Sequence, residues 1–64
     1  MKQYFLQFDF WNNEFNKFYY GCVTVDLSEI DLTELCRQVI RDNFEGVYPE
    51  EVYIKVNALN SIDI

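Results

Sequence analysis

The chain has 64 residues, half of them hydrophobic and 19% aromatic, which is too apolar for a disordered segment and short enough to form a single α+β domain over 1–64. Its formal net charge is −6, which repels phosphate backbones and anionic lipid and so excludes nucleic acid and membrane as default partners, favouring a protein with a basic surface. It contains no histidine, which removes the commonest general base, the usual metal ligand and the standard partner of a nucleophilic serine or cysteine.

The first stretch, QYFLQFDF, alternates with period two. Tyr4, Leu6, Phe8 and Phe10 share one face of a strand, and Phe5, Gln7 and Asp9 share the other. Nothing here resembles the core of a signal peptide, and no apolar run approaches the ~20 residues of a membrane span, so a cytoplasmic, unprocessed protein is expected. Asn12 and Asn13 tolerate left-handed turn conformations, so WNNEFN reads as the turn of a hairpin. The second strand runs from about Lys17 to Val25. Tyr19, Gly21, Val23 and Val25 fall on its core side, with Gly21 leaving a gap for a helix to approach, while Phe18, Tyr20, Cys22 and Thr24 fall on the other.

DLSEIDLTELCRQVIRDNFEG carries the strongest periodicity in the chain. Leu32, Leu35, Cys36, Val39, Ile40 and Phe44 recur at helical spacing, and polar residues fill the opposite side, which predicts one amphipathic helix from about 29 to 45. Ser28 or Asp31 supplies the N-cap; Gly46 follows the predicted end where a left-handed C-cap belongs. EEVYIKVNAL then reads as a third strand, with Val52, Ile54, Val56 and Ala58 on one face and Tyr53, Lys55 and Asn57 on the other. The tail NSIDI has no pattern of its own and is read as an edge extension or a fraying end.

The order β-β-α-β, with the helix carrying the chain across one sheet face, predicts a three-stranded antiparallel sheet of order 2-1-3 covered on one side by the helix. Cys22 and Cys36 are too few for a disulfide framework and are expected to be free, buried thiols. Catalytic, metal and cofactor sites are not expected. Ser28 and Ser61 lie in no nucleophile elbow, Gly21 and Gly46 cannot build a phosphate loop, and the adjacent Glu50 and Glu51 point to opposite sides of an extended chain.

A single helix leaves one sheet face uncovered, and the rings of Phe5, Phe18, Tyr20 and Tyr53 fall on it. Rigid aromatic area of this kind suits a protein interface, either with a basic partner or with a second copy in a homodimer. Base stacking of a single strand is the third reading, disfavoured because Lys2, Lys17 and Lys55 are the sole strand-side cations. Eight of the eleven acidic residues gather in two groups. Asp26, Glu29, Asp31 and Glu34 lie at the start of the helix, where its dipole favours them. Asp42, Glu45, Glu50 and Glu51 lie at and beyond its end, where the dipole disfavours them and Arg41 is placed to pair with Glu45. The second group is therefore the better candidate for a partner contact.

In type, though not in motif, a short, acidic, ring-rich chain without catalytic inventory resembles the small accessory proteins with which phages and mobile elements block host enzymes, anti-CRISPR proteins and polymerase inhibitors among them. That resemblance implies an inhibitor docking on a basic, nucleic-acid-binding surface of a host protein.

Overall fold

The computed structural model describes residues 2–62. Strand β1 (Lys2–Trp11) pairs antiparallel with β2 (Asn16–Val25) on one side and with β3 (Tyr53–Ser61) on the other, giving the order β2-β1-β3. Helix α1 (Leu32–Asn43) packs on one face of this sheet. The β-β-α-β arrangement is the one predicted from the pattern of the chain.

The hairpin between β1 and β2 is set by Asn12. Its side-chain oxygen accepts from the backbone N–H of Glu14 at 2.7 Å and of Phe15 at 3.1 Å, while its own N–H donates to the Phe15 carbonyl. Trp11 therefore remains in β1, opposite Asn16, instead of opening the turn.

Helix α1 begins later and ends earlier than its periodicity predicts. Asp31 is the N-cap, accepting from the Glu34 N–H at 2.7 Å. Ser28, the other candidate, is engaged elsewhere: its N–H and hydroxyl both donate to the Asp26 carboxylate, which holds residues 26–29 in a turn. At the other end the Phe44 N–H makes the last helical bond, to Ile40, and the backbone at Phe44 is already extended. That conformation lets the Phe44 ring meet Phe10 edge-on at 4.8 Å, so tertiary packing overrides the local pattern by two residues. Gly46, with φ +82°, then supplies the left-handed turn.

Pro49–Glu51 forms a 3₁₀ turn with Pro49 buried, so Glu50 and Glu51 precede the third strand instead of opening it. Proline fits the first position of such a turn because its missing N–H would have no partner there. Within β3 the register to β1 shifts between Gln7 and Phe8: Phe8 faces Val56, Gln7 faces Ala58, and Asn57 is the extra residue of a bulge. The bulge corrects the simple alternation. It moves Ala58 to the uncovered face and brings Leu59 opposite Leu6 on the core face, exchanging a small apolar side chain for a large one. The strand continues through the first part of the tail to Ser61, and the Ile62 N–H donates to the Gln3 carbonyl; the rest of the tail, Asp63 and Ile64, lies outside the described residues.

The fully enclosed core is drawn from β1 (Leu6, Phe8, Phe10) and from α1 (Leu35, Cys36, Val39, Ile40). The inward residues of β2 and β3, such as Val23, Ile54 and Val56, are half-buried. A helix about 10 Å across covers the central strand of three but overlaps the outer two only in part. At Gly21 the expected gap under the helix is filled from within the strand. A methyl there would come within 2.5 Å of the Tyr19 hydroxyl oxygen, and the Tyr19 ring packs on Phe8 at 5.6 Å.

Candidate interaction surface

Side-chain alternation in β1 and β2, with the bulge in β3, builds the uncovered face in levels across the sheet. Trp11 lies between Asn16 and Tyr53, Asp9 between Phe18 and Lys55, Gln7 between Tyr20 and Ala58, and Phe5 between Cys22 and Asn60. The sequence-predicted rings are all here and all exposed: Phe5 by 40%, Phe18 by 64%, Tyr20 by 62% and Tyr53 by 68%. Three of them pair toward the two ends of the face, one with Trp11, while Phe18 stands beside Asp9 without a ring partner among the described residues. Phe5 stacks on Tyr20 with centroids 5.9 Å apart and planes at 18°; Trp11 lies against Tyr53 at 5.9 Å and 31°. The first is a diagonal cross-strand pair and the second a direct one, each contributing about 0.2–1 kcal/mol to the sheet.

Trp11 is the ring of this surface that sequence reasoning missed. Assigning it to the asparagine turn hid the fact that Phe5, Gln7, Asp9 and Trp11 continue one period-two series. Cys22 was expected to be buried and is exposed, on this same face opposite Phe5; Cys36 is fully buried in the core as expected. Both thiols are free. Burial pushes the Cys36 thiol up to about 11, because its surroundings cannot solvate a thiolate.

Asp9 and Lys55 stand directly across from each other near the centre and are the charged residues of the face. Their charges cancel, so the net charge of −6 sits on the remainder of the molecule. Lys17 does not reach the face. It pairs in register with Phe10 on the core side, and its ammonium lies 5.4 Å from the centre of the Phe15 ring.

The acidic candidates form a separate surface. Asp42, Glu45, Glu50 and Glu51 are exposed on the end of α1 and on the connection that follows, and α1 covers the opposite side of the sheet from the aromatic face. Arg41 pairs with Glu50 at 2.9 Å and not with Glu45 as the helical spacing predicts. The helix ends at Asn43, so Glu45 is no longer one turn above Arg41, while the 3₁₀ turn folds Glu50 back toward α1. Both partners of this ion pair are more than half exposed, so it contributes at most about 1 kcal/mol. The two surfaces meet at one end. Glu50, Glu51, Val52 and Tyr53 line a shallow cleft of about 290 Å³ with Asn12 and Asn13.

Among the described residues no helix is long and apolar enough to cross a membrane, and no group of three or more histidine, cysteine or acidic side chains is close enough to hold a metal ion. Compared with protein-family models, with curated proteins and with solved structures, the chain matches none of them.

Proposed function

We propose that this chain is a non-catalytic protein-binding module that docks its acidic helix end, Asp42, Glu45, Glu50 and Glu51, on the basic surface of a partner protein. The observation that carries the reading is the distribution of charge: the aromatic face is neutral, and the net charge of −6 is spread over the rest of the molecule. Asp42, Glu45 and Glu51 are exposed and make no ion pair among the described residues. Asp42 stands in the last turn of α1, where a carboxylate costs about 0.3–1 kcal/mol against the helix dipole. A basic surface offers these groups the compensation that the fold does not. Where that surface is a nucleic-acid groove, docking excludes the phosphates and the module acts as an inhibitor.

The test is a titration with an arginine-rich peptide of about ten residues at low salt, followed by backbone amide shifts. The shifts are expected to cluster over residues 41–53, and the double charge reversal Glu45→Lys, Glu51→Lys is expected to weaken binding about tenfold. Shifts scattered over every acidic residue, or none at all, overturn the reading.

A further inference from the structure

We infer that the aromatic sheet face is a homodimer interface, covered in solution by the same face of a second copy. This goes beyond the basic-partner reading and does not depend on it, because it rests on the rings of the sheet face and not on the acidic helix end.

Electrostatics chooses the occupant. A basic protein surface laid on this face would strip water from its cations and find Asp9 alone to receive them, already opposite Lys55. A second copy brings a face that is equally neutral. The acidic residues of α1, Glu34 and Asp42, then remain on the outer, helix-bearing sides, while Glu51 stands at the margin beside Tyr53. The like charge of the two molecules therefore opposes the contact most at low salt and less at physiological salt, where the screening length is ~8 Å.

The face is also self-complementary. A two-fold axis running across the strands, midway between the levels of Gln7 and Asp9, lays Phe18 on the second copy's Tyr20 and Trp11 on the second copy's Phe5. It sets Asp9 against the second copy's Gln7, so no charge meets its like. Strands of 10, 10 and 9 residues make a footprint of about 33 by 14 Å, or ~900 Å² for both copies before the relief of the rings is added. That lies below the ~1,200 Å² at which stable interfaces begin and predicts a weak, reversible dimer rather than a permanent one.

Cys22 reports on the proposal because its thiol lies on the face while Cys36 is buried. Sedimentation equilibrium between about 10 μM and 1 mM is expected to show the mean mass rising from 7.7 kDa toward twice that value. Over the same range alkylation of Cys22 by iodoacetamide should slow about threefold as the face is covered. Phe18→Glu should hold the protein at the monomer mass and make the Cys22 rate independent of concentration. Phe18→Ala, checked by an unchanged circular dichroism spectrum, should weaken the dimer without adding charge. A wild-type protein that stays monomeric at the highest concentration overturns the inference. So does a dimer that survives Phe18→Glu or leaves Cys22 equally reactive, since that outcome means pairing through a strand edge or the helix side. The arginine-peptide titration separates the two proposals: clustered shifts in a strictly monomeric protein keep the basic-partner reading and remove the dimer, and a face-to-face dimer without those shifts does the reverse.

Discussion

Phe10→Leu isolates the ring packing that closes one end of the core. Phe10 is fully buried and meets Phe8 at 5.8 Å, Phe15 edge-on at 6.3 Å and Phe44 edge-on at 4.8 Å. Leucine keeps most of the buried apolar area but forfeits these contacts, each worth about 0.5–1.5 kcal/mol beyond area, for a loss of about 2–3 kcal/mol in all. A domain of 64 residues has only about 3–10 kcal/mol of stability, so the variant loses about a fifth or more of it and melts about 10–20 °C lower. Urea unfolding followed by circular dichroism at about 5 μM, dilute enough to keep the chain monomeric, measures the loss, with an unchanged m value showing that the same surface is exposed. Phe18→Leu is the control, since that ring is mostly exposed and should change stability by less than about 0.5 kcal/mol. A Phe10→Leu protein within 0.5 kcal/mol of wild type, or a Phe18→Leu loss as large as that of Phe10→Leu, would refute this account of the core.

Asp31→Ala removes the N-cap bond to Glu34 and should cost about 1 kcal/mol in urea unfolding, whereas Asp31→Asn keeps most of it; equal losses would mean that the cap geometry is not what matters. The Ser28 hydroxyl and N–H donate to Asp26 and hold its carboxyl below the usual 3.8, so its contribution is present above that value and is lost as the pH falls through the lower folded-state value. Carbon-13 titration of Ser28→Ala should show the Asp26 carboxyl moving up toward 3.8, and an unmoved titration contradicts the assignment. For Cys36 the folded thiol titrates at about 11 against 9.0 unfolded, so its stabilisation is complete below pH 9 and fades as the pH rises toward 11. The difference in stability between wild type and Cys36→Ala should shrink across that window, and a constant difference would show that burial does not hold the proton on. A thymine oligonucleotide at low salt should leave Trp11 fluorescence unchanged, because Lys55 opposite Asp9 gives the face no net attraction for phosphate; quenching that salt reverses would restore the stacking reading.

The sequence by itself determined the layers and the rings of the uncovered face, because each rests on a local period, and the strand order, because the helix must carry the chain across one sheet face. Alternation of two sends Phe5, Phe18, Tyr20 and Tyr53 to one side, and a period of 3.6 gives α1 a single apolar stripe that must lie on the other. Tertiary structure decided what those periods cannot encode. Asn57 bulges so that Leu59 rather than Ala58 joins Leu6, a choice that depends on strands some fifty residues apart. Phe44 leaves the helix because Phe10 waits across the core, and that early exit in turn hands Arg41 to Glu50. Asn12 closes the hairpin one residue later than composition suggests, which keeps Trp11 in the strand and adds its ring to Tyr53. At the bulge and at the helix end a long-range contact outweighed a local preference of about 1 kcal/mol or less, whereas at the hairpin the local hydrogen bonds of Asn12 chose between two turn positions.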